Sequence, residues 1–427
     1  MNRRRPGIRL SSFRIIIAGF AGVILTGAVL LMLPVSARSG EWTSFENACF
    51  TSASAVCVTG LVVLDTASYW SYFGQAVILL LIQTGGLGVV TVAAFIAEMS
   101  GKRISLLQRS TLQDSISADQ PGGLGKMTRF IFRVTFIAEA AGAAAMLPVF
   151  LGSYGARGIW MAVFHSVSAF CNAGFDIMGT DTGAFSSLTA YAGNAWIVLP
   201  VCLLIMAGGA GSLTWKDIAV RRFNFKRYRM QSKVIITATA ALIFFPALVF
   251  FLNDFSGSPM KERIFHSLFQ AVTPRTAGFN TADMSAMTSA GRALIIMLML
   301  TGGSPGSTAG GMKTTTAAVL LANAAAVGRG RKSPRLFGRR IDDETVKSAL
   351  KLTPMEYKLL CLLAKHTGKV LTHTFITQNI WGRSWDNDVA SLRVFMVTLR
   401  KKLESLPDSP RYIQTHIGIG YRMLKVV

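Results

Sequence analysis

Three short stretches of this chain carry residues whose spacing could hold a dehydrated ion. "SASAVCVTGL", "SAFCNAGF" and "FQAVTPRTAGFN" each run from a short amphipathic piece into a glycine-centred turn, at Gly60, Gly174 and Gly278. Glycine reaches positive φ without a Cβ clash, so a turn built on it lets consecutive carbonyls point at one axis. Carbonyl oxygens in that arrangement replace the hydration shell of a cation. A half-helix ending at the same place aims the negative end of its dipole there. No ring of Asp or Glu is needed, and none is evident. One such glycine would more simply mark close packing of membrane helices; three in matching contexts argue for the ion.

Such turns need elements that hold irregular backbone at membrane depth, which is tolerated only where it is buried or lines a water-filled path. The chain supplies them. Of 427 residues, 51% are hydrophobic and 15% charged, against about 25% charged in soluble domains. Apolar runs near 13–33, 74–96, 130–151, 194–213 and 234–252 reach the ~20 residues that cross a bilayer. A sixth, 293–327, is interrupted by "TGGSPGSTAGGMK". The first run follows "MNRRRPGIR" and exceeds a signal-peptide core of about 7–15 residues, so it reads as a retained span. Each second run carries a glycine pair, Gly85 and Gly86, Gly208 and Gly209, Gly302 and Gly303. Two features recurring in the same order indicate internal duplication of a span, re-entrant piece, span unit.

The net charge of +23 is concentrated before the first run, between the second and third, between the fourth and fifth, and after the sixth. Basic loops stay cytoplasmic, so six crossings with both termini inside are expected. The five cysteines are scattered without a CxxC, which indicates neither a zinc site nor a disulfide framework. His165 and His266 recur at one position of the unit, as parts of the half-helices rather than a catalytic pair. No nucleophile constellation or phosphate loop is present, and an enzyme is not expected.

Together with "GGSPGSTAGGMKTTT", the three turns resemble the Trk/Ktr/HKT potassium-uptake family, most closely its KtrB-type pore subunit, over residues 10–350. The resemblance implies a polytopic all-α membrane protein of span, pore loop, span repeats, three of the usual four. It implies a selectivity filter at Thr59, Gly60, Ala173, Gly174, Ala277 and Gly278. It also implies a gate in the loop holding Gly302, Gly303, Gly306, Gly310 and Gly311, with Lys313 beside it. Lys313 could instead simply reach for the cytoplasmic interface. Potassium would be the transported ion, with sodium as an alternative, and no covalent cofactor. The resemblance further implies the bacterial inner membrane with its lipid, a homodimer, and a cytosolic nucleotide-binding regulatory ring as partner. The repeats fall at 1–100, 101–222 and 223–328, followed by a basic linker, 329–350. Gly382 sits where a fourth turn would fall, but no apolar run precedes it.

From Lys351 onward the composition changes, with 12 Lys and Arg against 5 acids and no spanning run. "TPMEYKLLCLLAKH", "THTFITQNIWG" and "DVASLRVFMVTLRKKLES" read as helices, and "RYIQTHIGIGYRML" as a hairpin. Three helices and a basic hairpin suggest a small α+β winged helix-turn-helix domain over 351–427. It is similar to the effector domain of OmpR/PhoB-type response regulators, notably the KdpE-like ones, without their preceding sheet or receiver domain. By that resemblance Arg393, Thr398, Arg400, Lys401 and Lys402 face DNA, with Tyr421 and Arg422 in the wing. The expected function is potassium uptake by a pore subunit fused to a DNA-binding regulator domain. The alternative is a membrane-tethered transcriptional regulator that uses the spans as anchor or sensor.

Overall fold

The computed structural model describes residues 12–99, 124–222, 224–329, 334–341, 359, 362–363, 366, 368–381, 392–393, 395–397, 399–400, 413–416 and 419–424. The chain forms two compact units, 1–318 and 319–427. In the first, one pattern occurs three times: a long helix, a short helix, an extended turn, and a second helix that breaks. The first repeat is α1 (Ser12–Met32), α2 (Phe45–Val56), α3 (Tyr72–Leu87) and α4 (Val89–Met99). The second is α5 (Leu124–Tyr154), α6 (Arg157–Phe170), α7 (Ala195–Ala210) and α8 (Ser212–Arg221). The third is α9 (Met230–Asn253), α10 (Met260–Val272), α11 (Ser289–Leu300) and α12 (Thr314–Gly328).

Local chemistry fixes the start of the first short helix. Ser44 caps α2 by accepting from the Asn47 amide, and Glu46 sits in its first turn, where a carboxylate complements the helix dipole. Each short helix packs on the long helix before it. In the first two repeats a serine hydroxyl makes that contact specific: Ser52 donates to the Ile24 carbonyl at 2.7 Å and Ser166 to the Glu139 carbonyl at 2.6 Å. Such bonds serve where no water competes for the polar group.

Two of the expected spans are not straight. The run 74–96 bends by 94° between α3 and α4, and the run 194–213 bends by 102° between α7 and α8. The hinges are Gly88 at φ +85° and Gly211 at φ +81°, a region closed to most side chains and absent from any helix. A Cβ at Gly211 would also press on the Pro305 carbonyl at 2.6 Å. The sixth run divides into α11 and α12, with residues 301–313 as an irregular loop between them. Among the described residues, three helices can cross a bilayer by length and composition, or up to five if each bent pair counts as one.

In the second unit, β1 (Arg335–Leu336) and β2 (Arg339–Arg340) pair antiparallel, and β3 (Val370–Thr372), β4 (Ile413–His416) and β5 (Gly420–Met423) form an antiparallel sheet in the order β3-β5-β4. The expected hairpin is β4 and β5; β3 was not foreseen. The helix α13 (His373–Trp381) follows β3 directly. Leu371, Ile376, Leu392, Met396, Leu399 and Ile413 make the apolar core, so the helix holding Arg393 lies on the sheet through Leu392, Met396 and Leu399.

Candidate functional site

The three glycine turns meet. A Cβ on Gly60 would lie 2.5 Å from the Ala173 carbonyl oxygen, and one on Gly174 would overlap the Ala277 carbonyl oxygen. Backbone therefore packs on backbone, from the first turn to the second and from the second to the third. The glycines stand at φ +78°, +70° and +87°. Two residues ahead of each stands another left-handed residue: Val58 at +54°, Asn172 at +56° and Thr276 at +73°. Left-handed non-glycine residues cost about 1–3 kcal/mol each and concentrate at functional sites. Sequence reasoning missed these positions, although their fixed offset from the glycine was visible.

A hydroxyl staples two of the turns. Ser168, near the end of α6, donates to the Phe175 carbonyl at 2.7 Å, and Thr273, just past α10, donates to the Phe279 carbonyl at 2.5 Å. Phe175 and Phe279 are each 1% exposed. In the first turn the equivalent Ser54 hydroxyl is buried without a partner among the described residues, and Leu61 after the glycine is 60% exposed. Ser168→Ala should cost about 1–3 kcal/mol by orphaning a buried carbonyl, while Ser54→Ala should be close to neutral. Thermal unfolding of the two purified variants checks this.

The asymmetry extends to the flanks. Residues Cys171 to Gly174 are buried, whereas Cys57, Thr59 and Gly278 are exposed. A Cβ on Gly278 would meet only Gly174, at 3.3 Å. The second turn is thus covered on both sides, and the first and third each keep one open side. The Arg275 guanidinium, buried in the third turn, donates to Thr239 in α9 at 3.5 Å, which holds its charge against that helix.

The glycine pairs of the broken helices serve close approach. A Cβ on Gly85 would overlap the Val56 carbonyl, one on Gly208 the Phe170 carbonyl, and one on Gly302 the Gly310 carbonyl. The loop 301–313 is pinned to the hinge of the second repeat. Ser304 donates to the Gly209 carbonyl at 2.9 Å, Thr308 to Gly208 at 3.3 Å, and Ser212 to the Gly306 carbonyl at 3.0 Å. The Thr308 hydroxyl donates to the Phe170 carbonyl at 3.2 Å. Lys313 does not extend outward: its Nζ donates to Ala309 in the same loop at 2.8 Å. Gly306, Ser307 and Thr308 line a cavity of 210 Å³, with Gly86, Gly88 and Ile131 opposite.

In the second unit Arg393 is exposed. Arg400 donates to Thr415 at 2.5 Å and lies 5.7 Å from the centre of the Tyr421 ring. Tyr421 belongs to the core and is 5% exposed, so it braces the wing. Arg422 donates to Gln414 across the hairpin at 2.6 Å. Thr398, Lys401 and Lys402 lie outside the described residues.

Comparison with known proteins follows the same division. The cation transport protein family of TrkH type matches residues 10–364. The C-terminal domain family of transcriptional regulatory proteins matches residues 347–423. The chain is 39% identical to the potassium/sodium uptake protein NtpJ of Enterococcus hirae, over 82% of this chain and 77% of that one. It is 34% identical to the Ktr system potassium uptake protein B of Bacillus subtilis, over 80% of this chain and 77% of that one. The KDP operon transcriptional regulatory protein KdpE of Escherichia coli is 42% identical over 73 residues, 17% of this chain and 32% of that regulator. The fold matches the crystal structure of the potassium transporter TrkH from Vibrio parahaemolyticus with a TM-score of 0.61, at 19% identity, over 94% of this chain and 85% of that one. The repeated helices, the converging glycine turns and these likenesses agree: the chain belongs to the TrkH cation transport protein family, and its membrane region is fused to a response-regulator DNA-binding domain of KdpE-like type.

Proposed function

We propose that the membrane region moves potassium, with sodium as a second ion, across the bacterial inner membrane, both termini facing the cytoplasm. The carbonyls around Thr59, Gly60, Ala173, Gly174, Ala277 and Gly278 select the ion. The observation that carries this reading is the backbone-to-backbone contact of the three turns, each held by a left-handed glycine. The loop with Gly302, Gly303, Gly306, Gly310, Gly311 and Lys313 gates the path. Repeats 1–100, 101–222 and 223–328, the linker 329–350 and the domain 351–427 are the proposed divisions. The names of the relatives support potassium and sodium as ions. A homodimer and a cytosolic nucleotide-binding ring remain the proposed partners. The open flanks of the first and third turns mean that conduction needs a wall from another polypeptide. Uptake of Rb⁺ by cells lacking their own potassium transporters tests the reading: expression should support uptake and growth at low potassium. No uptake despite membrane insertion would refute transport by this chain.

The domain 351–427 binds DNA through Arg393, with Arg422 in the wing. Arg393→Ala should weaken binding and lower the salt slope by about 1, as measured by fluorescence anisotropy of labelled duplex at several salt concentrations.

A further inference from the structure

One acid in the membrane region has no role in the site described above. Glu139 lies in the middle of α5 and is 5% exposed, with no basic side chain paired to it among the described residues. One carboxylate oxygen accepts from the Gln83 amide in α3 at 3.3 Å. The other is buried without a partner among the described residues. One helical turn away, Thr135 is fully buried, and its hydroxyl is also unpartnered. Residues four apart share a helix face, so both unsatisfied oxygens belong to one place behind the second short helix. An unpaired buried carboxylate is strongly disfavoured, and an ionisable group at membrane depth is a functional site by default.

We propose that Glu139 and Thr135, with Gln83 as support, hold a sodium-sized monovalent cation at this place. A single positive charge offsets the carboxylate. A hard cation prefers oxygen ligands, and oxygens are what the site leaves free. The hydroxyl and this carboxylate oxygen make no hydrogen bond with each other, so both are free to take an ion. Access is at hand, because Ile131, one turn below Thr135, lines the 210 Å³ cavity beside the loop residues Gly306, Ser307 and Thr308. The site also reaches the second turn. The Gln83 side-chain oxygen accepts from the Cys171 thiol at 3.6 Å, and Cys171 ends α6. An ion here would steady the backbone that leads to Gly174.

This site is separate from the glycine turns, and one assay distinguishes the two. The full chain, purified in detergent, is unfolded thermally in choline chloride with increasing NaCl, and separately with KCl, at constant ionic strength and pH. Sodium should raise the midpoint by several degrees and saturate. Thr135→Val should shift the half-saturating sodium concentration upward by about tenfold or more, the loss of one charge-assisted contact. Glu139→Gln should reduce the sodium response to the part shared with potassium at the glycine turns, and both variants should keep the potassium response. Equal midpoints in sodium and choline for the unaltered chain would overturn the proposal. So would an unshifted half-saturating sodium concentration in Thr135→Val, which is nearly isosteric and reads the site even if Glu139→Gln does not fold. Loss of the potassium response alone would count against the glycine turns and leave this site standing.

Discussion

Gly174→Ala should abolish potassium-dependent uptake, whereas Gly278→Ala should only weaken it. Both glycines have positive φ, so each substitution carries the left-handed penalty of about 1–2 kcal/mol for a residue with a Cβ. Their surroundings differ. At Gly174 the new methyl group would overlap the Ala277 carbonyl oxygen and come within 2.9 Å of the Gly278 Cα. Both obstacles are backbone and cannot rotate away. Overpacking of that kind adds about 1–3 kcal/mol, for a total of about 2–5 kcal/mol. At about 1.4 kcal/mol per factor of ten, uptake falls by about 30-fold or more. At Gly278 the only neighbour is the Gly174 Cα at 3.3 Å, which a few tenths of an ångström relieves. Rb⁺ uptake normalised to protein in the membrane measures both. Equal losses would mean that the second turn has no special place in the path.

Gly302→Ala is expected to open the proposed gating loop and raise uptake severalfold, while Gly310→Ala should change nothing. The two glycines face each other, but their burdens are unequal. A Cβ on Gly302 would overlap the Gly310 carbonyl oxygen, whereas a Cβ on Gly310 meets nothing within 4 Å. The loop is held by four hydrogen bonds to the second repeat, from Ser304, Thr308 (amide and hydroxyl) and to Gly306. At about 0.5–1.5 kcal/mol net for each, closure is favoured by about 2–6 kcal/mol. An overlap of about 1–3 kcal/mol at Gly302 removes a large part of that bias. Rb⁺ uptake in the two variants distinguishes a plug from a structural loop. A structural loop would make Gly302→Ala lose uptake through poor folding, with a smaller yield of protein in the membrane.

The repeated unit was legible because glycine, apolar length and charge placement each recur in register. The bends at Gly88 and Gly211 were not, because the apolar composition runs straight through both hinges. A single glycine inside an apolar run reads as a tolerated helix residue. What makes them hinges is tertiary: the loop 301–313 fills the space beside Gly211, and that contact lies far away in sequence. The staples at Ser168 and Thr273 were hidden for a related reason. A hydroxyl near a helix end has several carbonyls within reach, and only the folded turn selects the Phe175 or Phe279 oxygen.

In the second unit the hairpin was visible from its turn, but β3 is three residues long and gains strand geometry only by pairing with β5. That pairing buries Leu371 and Tyr421. It draws in the Tyr421 ring, which sequence reasoning placed on the wing beside Arg422. Glu139 was passed over because it is one acid in a helix that also carries Arg129 and Arg133. Only the structure leaves it without a cation among the described residues.

The proposed transport rests on three backbone turns sharing one ion. The most direct measurement is anomalous diffraction from crystals of the full chain soaked in rubidium or thallium salt. The expected result is a peak where the three turns meet, beside Gly60, Gly174 and Gly278, lost in Gly174→Ala. Well-ordered turns with no peak between them would contradict it.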